Sequence, residues 1–167
     1  MAQALASLSP EGIIPFNVRM PRSFWEGLAA RARGDATVAE KAFNATRAEM
    51  VSVLREQPDY AEALCVLGMA DAAIGRKEDA LREGRPAVER LPVTRDAMTG
   101  AEVLRNLAII YAWIGEKDLA LKQLEELLPL YGPISYGQLR LHPWWDPLRD
   151  DPRGLRSLLR SRRDRSR

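Results

Sequence analysis

The chain has 167 residues, a length that suits one domain and is too short for two large ones. Its one cysteine, Cys65, excludes an internal disulfide and any multi-cysteine zinc or iron–sulfur site, and its one histidine, His142, leaves a single candidate for imidazole chemistry. A formal net charge of +2 is too small to attract nucleic acid or anionic lipid by itself. No apolar run is long enough to span a membrane and no secretion signal follows Met1, so we expect a cytoplasmic protein without a membrane partner.

The first predicted elements are a short stub with a loop, followed by two helices. Residues 2–8 have a helical pattern and several prolines follow them, so we assign residues 1–20 to an N-terminal stub and loop. Ser23 and Glu26 match a capping box that opens a first helix, which should end before Gly34. A second helix is predicted over residues 36–56.

The third and fourth helices are predicted from a second capping box and an internal proline. Asp59 and Glu62 match the capping box, and the third helix should run from there to Ile74. The fourth helix is predicted over residues 77–90. Pro86 lies inside it and removes one backbone amide, at a cost of roughly 3 kcal/mol, so we expect a kink there.

Two more helices complete the regular part of the chain. Thr94 or Asp96 should start the fifth helix, and the sixth is predicted over residues 117–128. Nowhere do valine, isoleucine and threonine alternate between turn residues, so a sheet has no source. The sequence therefore predicts an all-α fold.

The pattern changes in the last part of the chain. Ser135 and Gln138 match a third capping box, which should open a short helix that ends at His142. A turn or single helical coil is predicted over residues 144–148, and Asp151 should start a last helix.

An internal repeat is the most specific feature of the sequence. Gly34, Gly75 and Gly115 are separated by 41 and 40 residues. Small and apolar residues recur at matching offsets on both sides of these glycines, as in Ala39, Ala80 and Ala120, which each follow by five residues. This spacing predicts pairs of antiparallel helices, with the glycine at each bend and small residues allowing the helices to approach closely.

The repeat resembles the tetratricopeptide repeat (TPR) family. Asp71 stands where the family has an aromatic residue, and Gly84 where it has a bulky one. The family period is about 34 residues, so the longer spacings imply insertions, which we expect in the second and fifth helices. The middle copy matches the motif at Leu64, Leu67, Gly68, Gly75, Ala80, Ala87 and Pro92, and the third copy at Leu104, Leu107, Ala108, Tyr111, Gly115 and Ala120.

The resemblance implies three TPR-like helix pairs in a right-handed superhelix over residues 21–133, with a C-terminal capping segment over 134–160 and a basic flexible tail over 161–167. Residues 135–153 are similar to a closing segment that follows such repeats in multidomain bacterial proteins, although Gly154 stands where an aromatic residue is usual. The apolar face of the last repeat would be covered by Leu139, Trp144, Trp145 and Leu148.

The resemblance also implies a function, because TPR proteins usually bind peptides along a concave face lined by the first helix of each pair. Glu102 carries a negative charge where the carboxylate-clamp subfamily has a positive one, so we reject that specificity. We expect instead a partner with an apolar anchor and an acidic group for Arg105, bound by a non-enzymatic scaffold or adaptor without cofactor or metal. The residues mapped to this face are Phe24, Leu28, Arg31, Cys65, Met69, Arg105, Ile109 and Trp113.

Three alternatives stay open. An uncovered apolar face at Phe24 and Trp25 would support a homodimer, or a regulatory module within a larger signalling protein. The arginine-rich end over residues 156–167 could bind nucleic acid weakly, although a solvated helix end is favoured. An enzymatic role would need a pocket with strongly perturbed titratable groups.

Two residues of the third helix carry structural predictions. Cys65 has no histidine or cluster of bases near it in sequence, so we expect it to behave as a small, partly buried apolar residue instead of a reactive thiol. Asp71 should face a partner helix, where Arg85 or Arg105 would balance its charge.

Overall fold

The computed structural model describes residues 18–130, 134–149 and 151. Every regular element in these ranges is a helix, and they contain no strand, which confirms the predicted all-α class for this part of the chain. None of the described helices is long and apolar enough to cross a membrane. The predicted stub over residues 2–8, the helix after Asp151 and the arginine-rich tail lie outside the described residues.

Six helices form three consecutive hairpins, and the two helices of each hairpin pack against each other. The first hairpin contacts the second through its longer helix, and the third hairpin packs on both helices of the second. In chain order the six helices are α1 (Arg22–Ala32), α2 (Ala36–Glu56), α3 (Ala61–Ala73), α4 (Lys77–Arg90), α5 (Thr99–Trp113) and α6 (Lys117–Leu127).

The three hairpin bends are equivalent, as the repeat predicts. Gly34, Gly75 and Gly115 have φ angles of 76°, 81° and 88°, a left-handed conformation that favours glycine. In each bend the glycine amide donates to the carbonyl three residues earlier, and the next amide donates to the carbonyl five residues earlier. This is the Schellman motif, so each glycine ends the first helix of its hairpin in the same way.

Two of the three predicted capping boxes are wrong. The N-cap residue of α1 is Pro21, and the Ser23 hydroxyl lies 2.8 Å from the Thr46 hydroxyl of α2 instead of capping its own helix. No side chain caps α3 either, and the Asp59 carboxylate accepts a hydrogen bond from Arg90 Nε at 3.1 Å. In both cases the N-cap residue is not the predicted one: Ser23 lies inside α1, and Asp59 precedes the N-cap residue Tyr60.

The two insertions lie in different kinds of structure. The first lengthens α2 to 21 residues, as predicted. The prediction for the second, in the fifth helix, is wrong: the extra length lies mainly in the connection over residues 91–98, since α5 has 15 residues and α3 has 13. This helix begins at Thr99, later than the predicted start at Thr94 or Asp96, and the Asp96 carboxylate accepts from the amides of Met98 and Thr99 at 2.9 and 2.8 Å. Helix α4 is continuous through Pro86.

A close junction of α3, α4 and α5 explains the departure from the TPR motif at Gly84. A Cβ atom at Gly84 would lie 2.7 Å from Ile110 Cδ1 of α5. Gly68 of α3 is equally crowded, because its Cβ would lie 3.0 Å from both Ile110 Cδ1 and the Ala80 carbonyl oxygen. The Ile110 side chain therefore occupies the space that a bulky residue of α4 would fill.

The chain then folds back on the third hairpin through residues 134–149, which we call the C-terminal segment. It contains α7 (Tyr136–Leu141), a 3₁₀ helix (Pro143–Trp145) and α8 (Asp146–Arg149), and it contacts α5. The capping box of Ser135 and Gln138 is present, which confirms that prediction. The four side chains predicted to cover the last repeat are all buried: Leu139, Trp144, Trp145 and Leu148.

The boundary predicted after the N-terminal loop does not coincide with the edge of the core. Val18 and Met20 precede α1 and are fully buried. They belong to the same apolar cluster as the hairpin residues. The last residues assigned to the stub and loop are therefore part of the packed domain.

Candidate functional site

The face formed by α1, α3 and α5, which we call the inner face, carries the eight residues predicted to bind a partner. Leu28 and Trp113 are half-buried and Arg31 is exposed. The other five, Phe24, Cys65, Met69, Arg105 and Ile109, are each at most 3% exposed. The open groove expected over these residues is therefore not what the structure has, because neighbouring helices and the C-terminal segment cover most of this face.

Trp113 connects three parts of the molecule. Its indole Nε1 donates to the backbone oxygen of Trp144 in the C-terminal segment at 3.1 Å. The Arg31 guanidinium of α1 lies 4.7 Å from the Trp113 ring centroid, and the Phe43 ring of α2 lies 6.4 Å away. A cation over an indole is stabilising by roughly 0.5–1 kcal/mol at exposed sites. Arg31 and Trp113 thus lie together where the inner face reaches solvent.

Arg105 already has an acidic partner within the chain. Its Nη2 lies 2.6 Å from Glu102 Oε2, one helical turn earlier, and both side chains are 3% exposed. Its guanidinium also lies 5.1 Å from the Trp144 ring centroid. Burial raises the pKa of Glu102 to about 7 and lowers the pKa of Arg105. The acidic group expected from a partner is therefore supplied by Glu102, which the spacing of three residues on a helix could have indicated.

Asp71 connects the first hairpin to the second, but not through the arginines predicted. Its carboxylate accepts from Arg47 Nε of α2 at 2.9 Å and lies 3.3 Å from Arg76 Nε. Arg85 donates instead to the Tyr111 hydroxyl at 3.2 Å. Burial raises the pKa of Asp71, and the two arginines oppose that shift. The prediction was wrong because the partner depends on α2 packing against α3.

Cys65 is 1% exposed, so it is more deeply buried than predicted, and its surroundings should suppress its reactivity. Burial raises the pKa of the thiol to about 12, so at pH 8 the thiolate fraction is about a thousandfold below that of an ordinary cysteine. We expect a thiol reagent to label the native protein at least a hundredfold more slowly than the protein in guanidinium chloride, measured by absorbance. Comparable labelling rates in the two states would contradict this assignment.

One open groove adjoins the exposed end of the inner face. It lies between the first hairpin bend and the end of α3, and its volume is about 450 Å³. We call it the bend groove. Its lining residues are Arg31, Gly34, Ala36, Ala39, Glu40, Phe43, Ala73 and Ile74. A mainly apolar floor with one cation and one carboxylate at its sides suits a mixed apolar and acidic ligand.

Comparison with known proteins finds no significant match to this chain. No protein-family model matches the chain, and neither does any curated protein or solved structure at the significance required. The described residues define an all-α protein of stacked helical hairpins. The resemblance to TPR proteins depends on the repeat residues alone.

Proposed function

We propose that this chain is a non-enzymatic protein-interaction module, a scaffold or adaptor of three TPR-like helix pairs in a right-handed superhelix. The equivalent Schellman bends at Gly34, Gly75 and Gly115 support the repeat assignment. The junction at Gly68, Gly84 and Ile110 supports it too, since close helix approach through small residues is what the repeat pattern requires.

The observation that carries the binding proposal is the bend groove. It is the open continuation of an inner face that is otherwise covered, and it adjoins Arg31 and Phe43. Arg31 is exposed at the surface, although partial desolvation of its guanidinium lowers its pKa, and the negative charge of Asp146 in the C-terminal segment opposes that shift. A partner segment would place an apolar side chain on the half-buried Ala73 and Ile74 and a carboxylate beside Arg31, away from Glu40.

Site-specific photocrosslinking tests this proposal. A photoreactive amino acid at Ala36 should capture a partner, and Arg31→Glu should lower its recovery by about tenfold, because an attractive charge pair becomes repulsive. Arg33→Glu is the matched control, since Arg33 is exposed on the same bend and does not line the bend groove. Equal recovery with both variants would contradict the proposal.

The same experiment addresses homodimerisation. The apolar face that self-association would use is not exposed, because Phe24 is fully buried and Trp25 is half-buried. Capture of a second copy of the chain at Ala36, together with a dimer mass in light scattering, would favour self-association as the function. A monomer together with a different captured protein would favour the adaptor.

A further inference from the structure

A small cavity lies between α1, α5 and the C-terminal segment. Its volume is about 170 Å³, the space of about five or six water molecules. Three indole rings form much of its wall, so it is more apolar than a site built for water alone. Its lining residues are Trp25, Arg105, Ile134, Gln138, His142, Trp144 and Trp145.

Two of the tryptophans that line this cavity have an indole N–H without an acceptor in the described part of the chain. Trp25 Nε1 and Trp144 Nε1 are buried, and no hydrogen-bond partner is found for either among the described residues. Trp144 is only 6% exposed, so bulk water does not readily replace the missing acceptor. Trp113 differs, because its indole donates to the Trp144 backbone oxygen. An indole nitrogen can only donate, so whatever satisfies Trp25 and Trp144 must be an acceptor.

The other polar groups of the wall are also arranged as donors. The Gln138 amide oxygen accepts from the Ser135 amide at 2.9 Å, which leaves its NH₂ end for a ligand. His142 Nδ1 accepts from the Trp144 amide at 3.4 Å, so the proton of the neutral ring is on Nε2. Burial lowers the pKa of His142, which favours this neutral form. A wall of donors selects a ligand with several acceptor oxygens.

The charge around the cavity suits an anion. Arg105 lines the wall and is paired with Glu102, which does not line it. Burial raises the pKa of Glu102 to about 7, so near neutral pH this carboxyl carries less than a full negative charge. The charges of Asp146 and Arg149 shift the pKa of His142 in opposite directions, upward for Asp146 and downward for Arg149. These two side chains form an ion pair with each other at 2.6 Å.

We propose that this cavity binds a small carboxylate of about six non-hydrogen atoms, with its oxygens on the indole N–H groups of Trp25 and Trp144 and its carbon chain between the aromatic rings. The proposal is independent of the bend groove, since the two sites share no lining residue.

Nitrogen-15 NMR of the full chain provides a direct test, because the four tryptophans give separate indole N–H signals. Butyrate, the probe, should shift the Trp25 and Trp144 signals downfield and saturably, at constant ionic strength. The Trp113 signal, whose donor is already bonded, should move much less. Butyramide has the same size but one weaker acceptor, so we expect at least fivefold weaker binding.

Variants extend the test. Trp144→Phe keeps a ring and removes the N–H, and should weaken butyrate binding about tenfold. If this variant does not fold, Trp25→Phe provides the same comparison, because Trp25 is only half-buried. If butyrate causes no saturable shift up to about 50 mM, the proposal is overturned and the cavity is assigned to water only. Equal affinity for butyrate and butyramide, tighter binding of inorganic phosphate, or unchanged affinity in the folded variants would also overturn it.

Discussion

Replacing Phe43 with alanine should lower the free energy of unfolding by about 3–5 kcal/mol. Phe43 is 1% exposed, and its ring centroid lies 5.7 Å from that of Phe24 and 6.4 Å from that of Trp113. The side chain thus joins α1, α2 and α5. A cavity at this position cannot collapse easily, because its walls belong to three helices whose backbones are held by other contacts.

Urea unfolding followed by circular dichroism measures this loss. Val38→Ala is the matched control, because Val38 lies on the same helix and is 46% exposed, so its truncation should cost less than about 0.5 kcal/mol. A loss below about 1.5 kcal/mol for Phe43→Ala would mean that the first and third hairpins are not joined through this ring.

The second large effect is expected for Gly68→Ala, which should destabilise the protein by about 1–3 kcal/mol. The added methyl group would lie 3.0 Å from the Ala80 carbonyl oxygen and 3.2 Å from the Gly84 amide nitrogen, both in the backbone of α4. Helix α4 would have to move away from α3. This cost opposes the intrinsic preference for alanine in helices, which is about 1 kcal/mol.

Gly137→Ala is the control for Gly68→Ala, because it gains the helix preference for alanine without the close contacts. Gly137 lies in α7, and the atom nearest to a Cβ atom added there would be Ser135 Oγ, at 3.9 Å. The same substitution should therefore be neutral or stabilising there, by up to about 1 kcal/mol. Thermal unfolding of the two variants should show shifts of opposite sign or clearly different size. If Gly68→Ala is as stable as the wild type, a methyl group fits between α3 and α4, and the predicted destabilisation is contradicted.

The elements that could be predicted from sequence are those decided by the local backbone. Helices α2 and α4 have the predicted bounds, and the three glycine bends are equivalent. Ser135 caps its helix as expected, whereas Ser23 does not, although both match the same local pattern. The difference is where the helix begins: Pro21 is the N-cap residue of α1, so Ser23 already lies inside the helix and its hydroxyl contacts that of Thr46. A capping pattern predicts a cap only where its first residue is also the residue that precedes the helix.

The candidate site was predicted less completely, because it depends on what covers a face. The repeat spacing brought Arg31, Arg105 and Trp113 to the inner face, and the C-terminal segment was predicted to cover the last repeat. Neither prediction showed that this segment would contact Trp113 and Arg105 themselves. It also did not show which arginine reaches Asp71, since that depends on α2 packing against α3. The bend groove and the small cavity arise between elements distant in sequence, so no local pattern indicates them.

The sequence by itself therefore determined the helices, their bends and the pairing of neighbours, because hydrogen bonds within about five residues and small residues at fixed spacing decide these. The tertiary structure alone decided which polar groups are paired, how much of the inner face is covered and where a ligand has room. Those outcomes depend on contacts between elements distant in sequence, such as the packing of α2 on α3 and the return of the C-terminal segment onto the third hairpin, where burial of its tryptophans and leucines outweighs leaving the inner face open to water.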